Sequence, residues 1–171
     1  MVTRRAILQV AAAIGFKPGA GEQDFARRIF SRINEIRVIN GAGELQWSDA
    51  VAECAQQQSE RKVELRFPGH EDPERGGVAE RLQRAGIGWS RCGENLFMEK
   101  GWDDPVNYAL VCWWYSPGHQ ANLLNPDYTE TGVGLAQGED GAWFVTQIFV
   151  TPPLLVERPG HFVTGRRKRP G

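Results

Sequence analysis

Two histidines and one glutamate stand beside residues that break or start regular structure. Glu94 lies in Cys92-Gly93-Glu94-Asn95-Leu96, His119 in Trp113-Trp114-Tyr115-Ser116-Pro117-Gly118-His119, and His70 in Phe67-Pro68-Gly69-His70-Glu71-Asp72-Pro73. Two neutral imidazoles, His70 and His119, can bind Zn²⁺ or another late divalent cation through their ring nitrogens. Glu94 would then orient an imidazole from behind, or hold a water. A metal with two or three protein ligands would be open and weakly held. Glu94 beside one histidine can instead form a general acid–base pair. A third reading is structural: Glu94 and Asn95 tie a cleft floor together by hydrogen bonds, and His119 pins a short helix. Ser116 near His119 invites a hydrolase mechanism. However, Ser before Pro is a common helix cap, and no Gly-x-Ser-x-Gly elbow is present.

The three cysteines, Cys54, Cys92 and Cys112, leave at least one unpaired, and their spacing fits no CxxC metal site. One disulfide with a free thiol and three small buried hydrophobes are equally open readings. A cysteine nucleophile is disfavoured, because the carboxylate beside Cys92 would raise its thiol pKa.

A chain of 171 residues fits one domain with its own core. Hydrophobic residues make up 41% and tryptophans number six, which places it among globular proteins. The formal net charge of −1 hides an asymmetry. Segments 1–20 and 166–171 carry seven basic residues and no acid, leaving −8 on residues 21–165. An acidic body argues against nucleic acid as a partner. Arg4-Arg5 before the apolar run Val10–Phe16 resembles a twin-arginine export signal, removed near residue 20. That run is too short to serve as a transmembrane anchor. The expected location is therefore periplasmic or extracellular.

The elements that must position the candidate residues follow from periodicity. Asp24 caps a helix carrying Phe25, Ile29, Ile33 and Ile36 on one face. Leu45-Gln46-Trp47 is a short extended link. Ser48 caps a second helix with Val51, Cys54, Ala55 and Gln58 on its stripe, running to about Leu65. Residues 67–77 form a Pro- and Gly-rich loop holding His70. Asp72, Glu74 and Asp127 read as solvated loop acids. Val78 to Ala85 is a third helix, stopped by Gly86. Asn95 to Met98 is a strand. Asp104 and Pro105 start a helix that Pro117 ends, and Ser116-Pro117 starts another with His119 in its first turn. Thr131–Ala136 and Ala142–Val150 form a hairpin around Gly138-Glu139-Asp140-Gly141. Trp113 and Trp114 read as core, with Trp114 also able to face the cleft. Helices followed by hairpin-connected strands indicate an α+β domain with helices on both faces of a small antiparallel sheet.

These residues resemble the CAP superfamily (cysteine-rich secretory proteins, antigen 5 and pathogenesis-related proteins), in its bacterial exported branch. The matching pieces come in family order. They are Ile33-Asn34-Glu35-Ile36-Arg37 with Leu45-Gln46-Trp47, Gly69-His70-Glu71-Asp72-Pro73, Arg81-Leu82, Cys92-Gly93-Glu94-Asn95-Leu96, Trp114 through Pro126, Tyr128 through Gly134, and Thr146-Gln147-Ile148-Phe149. The resemblance implies a three-layer αβα sandwich with a central cleft, over about residues 24–152. Residues 153–171 would be an extended strap and basic tail. The family's cleft carries two histidines and two glutamates. His70 and Glu94 match the first of each. Pro117 and Phe144 replace the second glutamate and second histidine, and the bacterial pattern offers His119 instead. The resemblance thus implies a ligand cleft of His70, Glu94, Asn95, Trp114, Ser116 and His119. A non-catalytic binding module for a lipid, glycan or peptide, with a weakly held cation on His70 and His119, is the favoured expectation. A protease or wall-active hydrolase using His70, Glu94 and His119, and a purely structural scaffold, are the alternatives.

Overall fold

The computed structural model describes residues 22–101 and 104–154. The export-signal segment 1–20 and the basic tail 166–171 lie outside the described residues. The elements run α1 (Glu22–Ile39), β1 (Gln46–Trp47), α2 (Asp49–Leu65), α3 (Val78–Arg84), β2 (Arg91–Lys100), α4 (Pro105–Trp114), α5 (Pro117–Leu124), β3 (Glu130–Gln137) and β4 (Ala142–Thr151). The strands form one sheet in the order β1-β3-β4-β2.

The molecule is α+β with three layers. On one face, α1, α4 and α5 bring Ile29, Ile33, Val106, Leu110, Trp113 and Leu123 against Val133, Leu135, Trp143, Val145 and Phe149 of the sheet. On the other face, Val51, Cys54 and Ala55 of α2 and Leu82 of α3 meet Ile148 and Val150. The side chains of β4 divide between the two faces by the period-2 alternation of a strand. Because both faces are covered, nine consecutive residues of β4, Ala142–Val150, are buried.

The sheet is mixed rather than purely antiparallel. Gln46-Trp47, read from sequence as a link, pairs in parallel with Glu130-Thr131, while β3–β4 and β2–β4 are antiparallel. A two-residue strand is too short to show an alternating pattern, so nothing in the sequence announces it. The other strands are longer than expected at one or both ends, since edge positions such as Arg91 and Lys100 are exposed and polar.

Helix starts differ in how they are made. Asp104 caps α4 as its sequence suggests: its carboxylate accepts from Val106 N at 2.9 Å, with Pro105 in the first turn. Ser48 and Ser116 occupy N-cap positions of α2 and α5, but neither side chain makes a capping hydrogen bond. Asp24 lies inside α1 rather than at its cap.

Two features draw the layers close. Gly132 and Gly134 of β3 face α2, where a Cβ would collide with the backbone nitrogens of Ala52 and Gln56. Arg37 is fully buried and donates to Gly43 O, Leu123 O, Asn125 O and Tyr128 O at 2.6–3.3 Å. It ties the end of α1 to carbonyls at the end of α5, which the helix cannot satisfy internally. The three cysteines are free, with Cys54 buried and Cys92 and Cys112 half-buried, and burial pushes all three thiols up.

Candidate functional site

β2 is an edge strand, and adjacent side chains on it leave by opposite faces. Glu94 turns toward α3, and Asn95 turns toward α5. Each fastens the segment that carries one of the histidines.

The Glu94 side chain is only 2% exposed, and both of its oxygens are engaged. Oε1 accepts from His70 Nδ1 at 2.9 Å, and Oε2 is paired with Arg81 Nη2. Arg81 also donates through Nη1 to His70 O at 3.0 Å and Gly76 O at 2.9 Å. One guanidinium thus neutralises the carboxylate and holds the loop that presents His70. With Nδ1 donating to a carboxylate, the Nε2 lone pair of a neutral His70 is left free.

That loop is braced at both ends. Lys62 of α2 donates to Gly69 O at 2.6 Å and lies 4.1 Å from the centre of the Phe67 ring. Burial pulls its ammonium pKa down. Asp72 was expected to be a solvated loop acid, but its side chain is fully buried and receives two hydrogen bonds from Arg61, at 2.7 and 3.0 Å. It also accepts from Glu74 N and Arg75 N, closing the turn that leads into α3. The Arg61 hydrogen bond, first among several, holds the Asp72 carboxyl well below the usual carboxylate range.

The second wall is α5. Asn95 Nδ2 donates to His119 O at 3.2 Å. Asn122 Nδ2 reaches both Glu94 O at 3.2 Å and Asn95 Oδ1 at 3.0 Å. Trp113 Nε1 donates to Leu96 O at 2.9 Å. Two outward carbonyls of the edge strand are therefore closed off by side chains, which also blunts the edge against stray pairing. Burial, then the charge of His70, lowers the His119 pKa, so its imidazole is neutral at pH 7.

His70, Glu94, Asn95 and His119 are therefore brought together at the outer edge of β2. Trp114 and Ser116 make none of the hydrogen bonds of this cluster. Trp114 instead lines a 200 Å³ groove between α1 and α4 with Ile36, Ile39, Leu110 and Val111. Pro117 is exposed and Phe144 is 1% exposed, so neither position offers a donor to the site. Among the described residues, no group of three or more His, Cys, Asp or Glu side chains gathers as a metal site. With both Glu94 oxygens taken, the donors left for a cation are the two imidazoles, which do not fit a closed, resident metal centre.

Arg81, Lys62 and Asn122 were not among the sequence candidates. Arg81 did leave a signal. It falls beside Leu82 and three positions after Val78, on the apolar side of a short helix, where a buried arginine needs a carboxylate partner.

Residues 30–149 match the model of the cysteine-rich secretory protein family, CAP. The uncharacterised membrane protein YlbC of Bacillus subtilis is 34% identical over 109 residues, covering 64% of this chain and 31% of that protein. An extracellular SCP-domain protein of Bacillus anthracis superposes with a TM-score of 0.65 at 28% identity, over 88% of this chain and 44% of that one. An outer surface protein of Borrelia burgdorferi shares the fold, with a TM-score of 0.70 at 18% identity, over 81% of this chain and 100% of that one. The chain thus spans less than half the length of the two Bacillus proteins. With the family model covering residues 30–149, the chain belongs to the cysteine-rich secretory protein (CAP) family.

Proposed function

We propose that this chain is an exported binding module whose cleft, between the His70 loop and α5, retains a ligand without turning it over. The observation that carries the reading is the double engagement of Glu94 by His70 and Arg81. A carboxylate with both oxygens committed and its charge neutralised is poorly placed to act as a general base, or to ligate a metal directly. What the cleft leaves available is the Nε2 atom of His70, whose side chain is 51% exposed, and the neutral ring of His119. Such a pair suits hydrogen bonding to a lipid headgroup, glycan or peptide. It also suits weak, transient contact with Zn²⁺ or another divalent cation. Export is supported by the Arg4-Arg5 pattern and by the extracellular and outer-surface relatives. No helix of the described residues is long and apolar enough to cross a membrane.

The test is retention of a lipid, glycan and peptide panel by wild-type protein and by the Glu94→Gln and His119→Ala variants, with products analysed. Retention without product, weakened by His119→Ala, supports the reading. Turnover abolished by Glu94→Gln in a folded protein overturns it. Zn²⁺ calorimetry on His70→Ala/His119→Ala tests the cation separately, since equal heats in wild type and double variant remove it.

A further inference from the structure

A cavity of about 460 Å³ lies between α2 and α3, and Arg81, which pairs with Glu94, lines it. None of His70, Glu94 or His119 lines it. Arg75, Arg81 and Arg84 line it, against one acid, Glu53. Arg84 makes no hydrogen bond or ion pair among the described residues. The one side-chain bond of Arg75 there is a long 3.4 Å contact to Gln57. Gln58, 1% exposed, lines the same cavity, and neither atom of its amide has a partner. The Nε of Arg81 is likewise buried and unpartnered, although its two terminal nitrogens are used. Buried polar atoms left unpaired are costly, and two residues of the cavity wall, Gln58 and Arg81, carry them.

The chemistry of the gap can be read from its donors and acceptors. Three guanidinium groups offer only N–H donors, and the Gln58 amide offers two more. Gln58 Oε1 and the Glu53 carboxylate are acceptors. The complement is an oxyanion carried on a fragment that also bears hydroxyl donors. Guanidinium clusters suit phosphate oxygens in particular. The volume is within the range of small-ligand pockets and exceeds what a bare phosphate needs.

We propose that this cavity binds a phosphate ester of a small polyhydroxy compound, with Arg75 and Arg84 closing on the phosphate. Arg81 then joins the two sites. Its Nη2 holds Glu94, which holds His70, so a ligand drawn to its Nε is felt at the His70 ring.

The experiment titrates glycerol 3-phosphate, inorganic phosphate and glycerol into the full chain at constant ionic strength. It uses calorimetry and the histidine ring resonances. Saturable binding of glycerol 3-phosphate is expected, tighter than phosphate, with no binding of glycerol and a shift of the His70 resonance. Arg75→Gln/Arg84→Gln, both outside the Glu94 cluster, should weaken binding at least tenfold. Gln58→Leu should weaken it too. Binding that is unsaturable, or unchanged in the double arginine variant, overturns the proposal. Unchanged affinity in a folded Gln58→Leu protein also overturns it, by showing that Gln58 is served by an ordered water only. Because the readout uses phosphate and Arg75/Arg84, its failure is distinct from a failure at His70 and His119.

Discussion

Glu94 and Asn95 are neighbours on one edge strand, yet they fasten segments on opposite faces of the sheet. Glu94 takes His70 Nδ1 at 2.9 Å from the α2–α3 side, and Asn95 gives its Nδ2 to His119 O at 3.2 Å on the α5 side. The pleat makes this arrangement: consecutive side chains leave a strand on opposite faces. Glycine before this pair has a separate reason. A Cβ at Gly93 would run into the Tyr128 hydroxyl, which packs across the strand at that point.

Arg81 is the residue on which the Glu94 wall depends. Its side chain is 4% exposed and that of Glu94 2%. Arg81→Met should therefore strand a buried carboxylate and cost about 3–5 kcal/mol, the range for breaking a buried pair by removing one partner. Arg81→Met/Glu94→Leu should recover part of that loss, since no charge is then left unpaired. Urea denaturation of the two single variants and the double variant gives the coupling. Strict additivity would mean the pair does not act as a unit.

His119 should give the protein a stability that weakens with acid. Burial, then the charge of His70, depresses its folded pKa below the ordinary 6.5. The unfolded chain then binds the proton more readily than the folded one, so stability rises with pH across the window between the two values. The contribution is complete above about pH 6.5 and is lost as pH falls toward the folded pKa. Urea midpoints for wild type and His119→Gln, compared from about pH 8 to pH 5, should diverge on the acidic side, with the variant losing less. His70→Ala should move the His119 titration upward, because the second cause of the depression is gone. An unmoved proton resonance would show that the two rings do not interact.

Much of the framework was legible because it rests on local patterns. Ile29 and Ile33 mark the buried face of α1, Asp104-Pro105 marks the start of α4, and alternation around Trp143, Val145 and Phe149 marks β4. His70 and His119 could be singled out because the Gly and Pro beside them mark a loop and a helix start, whereas Glu94 beside Gly93 lies inside β2, where the glycine makes room for Tyr128. What the sequence hid was long-range pairing. Asp72 resembles any loop acid until Arg61, eleven positions earlier on α2, is placed beside it. Trp114 was offered to the cleft, but helix rotation sends it to the α1–α4 groove while Trp113 turns inward to Leu96 O. Arg81 and Glu94 are thirteen residues apart, and no sequence rule pairs a helix position with an edge strand at that distance.

Gly134 tests how closely α2 and the sheet are packed. A Cβ there would meet the backbone of Ala55 and Gln56, and backbone cannot swing aside as a side chain can. Gln56 also exchanges hydrogen bonds with Leu135, so the helix is held in place at that level. Gly134→Ala should cost about 3 kcal/mol, at the upper end of overpacking penalties. Gly118→Ala, in α5 where nothing lies within 4 Å, is the control and should be neutral or stabilising by up to about 1 kcal/mol. Thermal melts of the two variants make the comparison. Equal melting temperatures would mean that the layers can separate without loss.

Asn122 tests whether the two walls are independent. Its amide serves Glu94 O and Asn95 Oδ1 at once, so Asn122→Ala leaves two acceptors without a donor. The expected cost is about 1–3 kcal/mol, because both acceptors are largely screened from water by α5. The consequence should be confined to one side. Asn95 loses the neighbour that orients its amide toward His119 O, so α5 loosens over the strand and water reaches His119. Its pKa should then rise toward the ordinary value, since burial is the larger cause of its depression. The His70 loop is held by Arg81, Lys62 and Asp72 instead, and none of these touches Asn122. NMR should therefore show the His119 ring titration moving while the backbone amide resonances of the loop, residues 67–77, stay in place. If both respond, the walls form a single coupled unit, and the separate fastening by Glu94 and Asn95 is wrong.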